Sequence, residues 1–131
     1  MERKFSFESL DVYQTARILV KGIYLLQNKF PKEEKYALGD QIRRAATSIT
    51  SNIAEGCGRN SYKEKIHFIE IAFGSMTESF SQLQNAQDLG YIKDEDIEKL
   101  RPLFNKIAGQ LSGLRKSFEN ILNTQKTIND P

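Results

Sequence analysis

The chain has 131 residues, a length that fits one domain able to bury a core of its own. Its 19 basic and 17 acidic residues leave a formal charge of +2, which is too small to require a polyanionic partner, so any basic surface must come from an uneven distribution of charge. The single cysteine excludes an intramolecular disulfide, and no apolar run approaches the ~20 residues of a membrane span, so we expect a soluble, cytoplasmic protein.

The first two predicted helices carry apolar residues at alternating steps of four and three, the spacing of one helix face. In the first helix this face comprises Val12, Ala16, Leu19, Ile23, Leu26 and Phe30. Pro31 ends that helix, because the residue before a proline avoids the α region. In the second helix the face comprises Leu38, Ile42, Ala45, Ile49 and Ile53. We expect it to stop near Gly56 and Gly58, since glycine readily adopts the left-handed conformation that follows many helices.

Two further helices follow, each with its own start signal. Ser61 and Glu64 have the spacing of a capping box, and Leu89-Gly90 ends the third helix. The apolar face of the third helix comprises Ile66, Ile69, Phe73, Met76, Phe80 and Leu83. Asp94 is the expected N-cap of the fourth helix. Its apolar face comprises Ile97, Leu100, Phe104, Ile107, Leu111, Leu114, Phe118 and Ile121. Pro102 should kink this helix, or separate a short leading turn from the main helix.

These helices predict an all-α fold, an up-down-up-down antiparallel four-helix bundle, because short connections place sequential helices side by side. No segment shows the alternation of a strand. We expect a single domain over residues 1–123 and a disordered, polar tail over residues 124–131.

Residues able to catalyse reactions or bind metals are scarce. A di-metal site in a bundle needs two Glu-x-x-His motifs, and this chain has one, formed by Glu64 and His67. Cys57 has no histidine close in sequence to act as its base, and the glycines around it lack the spacing of a phosphate-binding loop. We therefore predict no enzyme activity, no catalytic residue, no metal and no cofactor.

The polar residues of the second helix admit two interpretations. Small hydroxyl side chains cluster at Thr47, Ser48, Thr50 and Ser51. They indicate either close helix packing, within the bundle or between subunits, or direct contact with a ligand or nucleic acid. Asn52 lies on or beside the apolar face, where a buried amide needs a partner. Another face carries Arg44, Ser48, Ser51 and Glu55, and it is either a solvated stripe of ion pairs or an ordered polar cluster at a subunit interface.

Basic residues concentrate in the segment 41–65. Arg43, Arg44, Arg59, Lys63 and Lys65 stand there against Glu55 and Glu64, a local excess of three. A handful of phosphate contacts made by such residues would give a strongly salt-dependent affinity for nucleic acid.

The segment 30–59, FPKEEKYALGDQIRRAATSITSNIAEGCGR, resembles the family of four-helix bundle proteins encoded in intervening sequences of bacterial 23S ribosomal RNA genes. The family pattern is met by Phe30, Pro31, Glu34, Leu38, Gln41, Arg43, Arg44, Ala45, Ser48, Ile49, Asn52, Ile53, Ala54, Glu55, Gly56, Gly58 and Arg59. FESLDVYQTA, FIEIAFGSMTE and LGYI extend the similarity over nearly the whole chain, with Tyr13 where the family often has tryptophan.

The resemblance implies a non-enzymatic four-helix bundle that forms a ring-shaped homo-oligomer, most plausibly a pentamer. A related group, the accessory variability proteins of diversity-generating retroelements, binds RNA and a reverse transcriptase, so structured RNA and a reverse transcriptase or another protein are the expected partners. We expect nucleic-acid contacts from Arg43, Arg44, Arg59 and Lys63, and an oligomer interface or structural polar cluster at Gln41, Ser48, Asn52 and Glu55. The alternative is a ring-shaped scaffold for protein interactions that has no significant affinity for nucleic acid.

Overall fold

The computed structural model describes residues 2–129, and over that range it contains four α-helices and no strand. The helices are α1 (Asp11–Gln27), α2 (Leu38–Cys57), α3 (Tyr62–Asp88) and α4 (Asp94–Asn129). Short 3₁₀ turns, Ser6–Ser9 and Lys32–Glu34, precede α1 and connect α1 to α2. The predicted all-α four-helix bundle is confirmed.

The helices surround one core in the order α1, α2, α3, α4. Each helix packs against the next, and α4 packs back against α1, whereas α1 and α3 lie diagonally across the bundle, with no Cα of one within 8 Å of a Cα of the other. Contacts along α3 and α4 run in opposite directions, since the Phe80 ring lies 5.1 Å from that of Phe104 while Tyr62 lies 5.6 Å from Phe118. The predicted faces are buried in α1 as far as Leu26 and in α2, where Ile42, Ile49 and Ile53 are fully buried. Phe30 is buried too, but it lies beyond α1, which ends at Gln27, three residues before the predicted end.

The core face of α3 differs from the prediction. Phe73 was expected in the core but is 37% exposed, whereas Ser75, Ser79 and Gln82 are buried. The Ser79 hydroxyl donates to the Ser75 carbonyl at 2.8 Å, so its burial leaves the hydroxyl hydrogen paired. A face that contains such small polar residues is missed when only apolar side chains are counted.

Two helix boundaries also differ from their predicted form. Gly58 follows α2 with φ −84°, so the left-handed conformation expected there is absent; Gly90, after α3, adopts it with φ +80°. Asp94 is the first residue of α4 rather than its cap, and the Asp96 carboxylate instead accepts from the Lys93 N–H at 2.9 Å. Pro102 lies inside α4 and does not divide it into two helices.

The last part of α4 extends beyond the rest of the bundle. Its partner α3 begins at Tyr62, which packs against Phe118, so later residues of α4 have no α3 neighbour at the same level. Ile121 is accordingly 38% exposed and Ile128 76% exposed. The predicted domain end at residue 123 stays a prediction, as does a disordered tail over 124–131; α4 continues to Asn129, and residues 130–131 lie outside the described range.

Candidate nucleic-acid and subunit interfaces

The Arg43 side chain connects the start of α2 to the two elements before it. Its guanidinium donates to the Gln27 side-chain oxygen at 2.7 Å and to the Lys35 carbonyl at 2.8 Å. A third group, the Asp40 carboxylate, lies 3.8 Å away, and only 20% of the Arg43 side chain is exposed. The donors that a phosphate would need are therefore largely occupied within the protein.

The neighbouring Arg44 points to solvent. Its side chain is 80% exposed, and its Nε donates to Asp40 at 2.9 Å, a contact within one turn of the same helix. Surface pairs of this kind contribute about 0–1 kcal/mol, so Arg44 can exchange Asp40 for another anion at little cost. Gln41 is also exposed at this end of α2.

Ser48 and Asn52 belong to a polar cluster between α2 and α3 of one protomer. The Ser48 and Ser75 hydroxyls lie 2.8 Å apart, and the Asn52 amide donates to both the carbonyl and the hydroxyl oxygen of Ser48 at 2.8 Å. Of the two interpretations of the small hydroxyl residues, the contact with Ser75 indicates close helix packing inside the bundle for Ser48. The side chains of Ser48, Asn52 and Ser75 hydrogen-bond to one another, and a larger residue at Ser48 or Ser75 would push α2 and α3 apart.

The end of α2 approaches α3 closely through Gly56. A Cβ atom at Gly56 would lie 3.0 Å from the Phe68 Cβ and 3.4 Å from the Lys65 carbonyl oxygen. The Lys65 ammonium group donates to the Cys57 carbonyl at 3.0 Å, which places a cation at the negative end of the α2 dipole. Burial raises the pKa of the Cys57 thiol above its ordinary value, with Lys65 opposing the shift in part, so the thiol stays protonated near neutral pH.

Arg59 and Lys63 lie at this same end of the bundle. The Arg59 guanidinium binds Glu55 at 2.6 Å and covers the Phe68 ring at 4.6 Å from its centroid, and 40% of its side chain remains exposed. Lys63 is exposed and makes no ion pair among the described residues. Glu55 is 52% exposed and its described partner is Arg59.

The four predicted nucleic-acid residues do not form a single patch. Arg44 lies near the start of α2, whereas Arg59 follows its end; the 13 residues from Arg44 to Cys57 alone span about 20 Å at 1.5 Å per residue. Arg59 and Lys63 lie at the turn between α2 and α3, a segment in which residues 58–67 contain Arg59, Lys63 and Lys65 against one acidic residue, Glu64. We call Arg59, Lys63 and Lys65 the turn cations.

Two further surfaces were not identified from the sequence. On α1, the apolar side chains of Ile18 and Leu25 are 60% and 61% exposed. Between α3 and α4, an open groove of about 260 Å³ is lined by apolar side chains and by three polar ones, namely Phe73, Met76, Phe80, Phe104 and Ala108 with Thr77, Arg101 and Asn105. The seven-residue spacing of Ile18 and Leu25 was available as a signal, but both lie outside the stripe that predicts the core.

The fold and the site together define a helical bundle whose candidate binding side chains lie on α2, in the turn that follows it and at the start of α3. Over the described residues, no group of three or more His, Cys, Asp or Glu side chains is placed to hold a metal ion, and no helix is long and apolar enough to cross a membrane. The family model described as 23S rRNA-intervening sequence protein matches residues 8–113, a range that contains every candidate site residue. The chain belongs to this family. No curated protein matches it significantly.

Proposed function

We propose that this protein is a non-enzymatic homo-oligomer, a pentameric ring, that binds structured RNA through the turn cations. The proposal rests on the position of Arg59, Lys63 and Lys65 at one end of the bundle, where a short turn connects α2 to α3. Membership of the 23S rRNA-intervening sequence protein family supports RNA as the polyanion.

The turn cations differ in how they would act. Arg59 is held against Phe68 and Glu55, while Lys63 is an exposed cation without an acidic partner in the described chain. Lys65 caps the end of α2 and adds charge from a fixed position. Arginine and lysine side chains of this kind bind phosphate oxygens without reading the base sequence.

Assembly is needed because one copy offers few contacts. Glu55 and Glu64 offset two of the three turn cations, which leaves a small excess per protomer. A ring repeats the same end of the bundle in every subunit, and linked weak sites bind with an avidity that exceeds the affinity of each. Arg44 lies at the opposite end of α2 and would give a second, separate contact.

The test is fluorescence anisotropy with a structured ribosomal RNA fragment, titrated with salt. The variant Arg59→Gln/Lys63→Gln removes two turn cations, and the matched control Lys99→Gln/Lys106→Gln removes the same charge from exposed positions of α4. Each lost phosphate contact lowers the slope of log affinity against log salt by about 0.7–0.9. The turn variant should therefore lose affinity and about 1.4–1.8 of slope per contacting protomer, and the control should lose neither.

Two outcomes would contradict the proposal. Equal losses of RNA affinity in the turn variant and the control would show that RNA binding responds to net charge alone. An affinity that is weak and unchanged in every variant would favour the protein-interaction scaffold, in which the turn cations serve only to stabilise the junction of α2 and α3.

A further inference from the structure

A shallow groove runs along the surface between α1 and α2. Its volume is about 470 Å³, and α1 contributes most of its lining. The lining comprises two tyrosines, two cations, one valine and two threonines, namely Tyr13, Tyr24, Arg17, Lys21, Val20, Thr47 and Thr50. None of these residues is acidic. We call this site the α1–α2 groove.

The two cations of the α1–α2 groove are available to an anion. Lys21 is exposed and takes part in none of the ion pairs of the described chain. Arg17 is also exposed, and its guanidinium donates to the neutral side-chain oxygen of Gln14 at 3.2 Å. The two cations are four residues apart, about 6 Å along the helix axis, so they can contact neighbouring phosphates of one strand.

The acidic residues of the flanking segments do not neutralise this site. The Glu8 carboxylate, before α1, accepts from the Phe5 N–H at 2.7 Å, and the Asp40 carboxylate, at the start of α2, accepts from Arg44 at 2.9 Å. Asp11 is the one acidic residue of α1, and it lies about 160° around the helix from the direction of the groove. The α1–α2 groove therefore carries an uncompensated positive charge.

The two tyrosines mark the ends of the groove along α1. Tyr13 and Tyr24 are eleven residues apart, which is about 16.5 Å along the helix axis and within about 20° of the same direction around it. The Tyr24 side chain is 40% exposed, so its ring is open to a ligand. The Tyr13 ring packs edge-on against Phe7 with 4.9 Å between centroids, and the Arg17 guanidinium lies 6.0 Å from its centroid. Nucleic-acid bases stack on aromatic rings and on guanidinium planes alike.

The threonines of α2 add hydrogen-bond acceptors to the opposite wall. The Thr47 hydroxyl donates to the Arg43 carbonyl at 3.0 Å, and the Thr50 hydroxyl donates to the Thr47 carbonyl at 3.1 Å. Their hydrogens are thus committed to the helix, whereas their oxygen lone pairs can still accept. A ribose 2′-hydroxyl or the amino group of a base supplies the matching donor.

We propose that the α1–α2 groove binds an unpaired stretch of single-stranded nucleic acid, with a base stacked on Tyr24 and phosphates paired with Arg17 and Lys21. Proteins that bind single strands combine cations along the backbone with aromatic side chains on which bases stack. A stacked strand rises about 3.4 Å per nucleotide, so the distance from Tyr13 to Tyr24 admits about five nucleotides. An acidic peptide would also meet the cations, but a nucleic acid uses the exposed ring beside them as well.

The proposed site goes beyond the turn cations and differs from them in chemistry. It lies within one protomer and contains none of Arg59, Lys63 and Lys65, so its binding can be measured separately from theirs and without reference to assembly. The turn cations bind phosphates of a structured RNA, whereas the α1–α2 groove requires a base that is free to stack.

The test is fluorescence anisotropy with a labelled oligouridylate of about ten nucleotides, a single strand without base pairs. Tyr24→Ala removes the exposed ring and should weaken binding about 5- to 150-fold, the range expected for the loss of one stacked base. Tyr24→Phe keeps the ring and should bind as the wild type does. The matched control Tyr36→Ala removes a tyrosine that is 83% exposed outside the groove, and it should leave the affinity unchanged. Circular dichroism establishes that all variants remain helical.

A charge variant and a duplex probe provide a second measurement. Arg17→Gln/Lys21→Gln changes exposed residues and should lower the slope of log affinity against log salt by about 1.4 for the single strand, whereas Lys99→Gln/Lys106→Gln should leave it unchanged. A duplex RNA keeps its bases stacked within its own helix. Its affinity should therefore be the same for Tyr24→Ala as for the wild type.

Three results would overturn the assignment. Equal affinity of Tyr24→Ala and the wild type for oligouridylate would show that no base stacks there. Equal losses for single strand and duplex in Tyr24→Ala would show that unpaired bases are not what the groove recognises. Polyglutamate that binds more tightly than oligouridylate, and loses affinity in Arg17→Gln/Lys21→Gln, would assign the groove to an acidic protein instead.

The two sites are separated by the variant that removes two turn cations, Arg59→Gln/Lys63→Gln. It should keep the wild-type affinity for oligouridylate, since the α1–α2 groove is intact. Failure of the turn cations to bind structured RNA would therefore leave this assignment in place. An effect of Arg59→Gln/Lys63→Gln on oligouridylate that Tyr24→Ala does not reproduce would place the single strand on the turn cations and overturn it.

Discussion

Replacing Arg43 should lower stability and leave RNA binding unchanged. The change Arg43→Ala removes two hydrogen bonds from a charged donor, at 2.7 Å to Gln27 and 2.8 Å to Lys35, from a side chain that is only 20% exposed. Hydrogen bonds involving a charged group contribute about 1.5–3 kcal/mol each when sheltered, and water can replace part of the loss at the exposed Lys35 carbonyl. We therefore expect the free energy of unfolding to fall by about 1.5–3 kcal/mol in total.

The adjacent Arg44 provides the matched control. Arg44→Ala removes a side chain that is 80% exposed and pairs within its own helix, so the expected change in unfolding free energy is below about 0.5 kcal/mol. Urea denaturation followed by circular dichroism measures both variants, and the salt slope of RNA binding is compared in parallel. Equal stability of Arg43→Ala and Arg44→Ala would refute the internal role of Arg43. A smaller salt dependence of RNA affinity in Arg43→Ala would show that Arg43 contacts the RNA.

Two further predictions concern packing and pH. Gly56→Ala should destabilise the protein by about 1–2 kcal/mol in urea denaturation, because the new Cβ would lie 3.0 Å from the Cβ of Phe68. The control Gly74→Ala has open space around it and should stabilise the protein by up to about 1 kcal/mol. Changes of the same sign in both variants would contradict this packing. The Lys29 ammonium at 2.8 Å, with the Lys93 N–H, lowers the pKa of the Asp96 carboxyl. The stabilisation that the Asp96 carboxylate provides is therefore present above the unfolded-state pKa of about 3.9 and is lost as pH falls through the lower folded value. The loss of unfolding free energy caused by Asp96→Asn should accordingly shrink between about pH 6 and about pH 3. A loss that stays constant over this range would refute the charge effect.

The sequence predicts the four helices well because most of their buried positions depend on local spacing. Ile42, Ile49 and Ile53 are buried as their spacing indicates. The face of α3 was misjudged because Ser75 and Phe73 exchange the roles that hydrophobicity alone would give them: Ser75 is small and paired with Ser48, whereas Phe73 lines an open groove.

The candidate site was less predictable because it depends on contacts between elements. Arg43 and Arg44 are adjacent and chemically identical, and only the positions of Gln27 and Lys35 make one internal and the other exposed. The length of α2 separates Arg44 from Arg59, which a local charge excess does not reveal. Subunit contacts, in turn, require two surfaces to be seen together, and no local pattern in the sequence pairs them.

The most direct test of the central claim, an RNA-binding homo-oligomer, is the mass of the wild-type protein measured by light scattering with and without a structured 23S ribosomal RNA fragment. We expect a multimer of the protein alone and, with RNA at low salt, a heavier species whose mass equals that multimer plus RNA. A monomer that elutes separately from the RNA would contradict it.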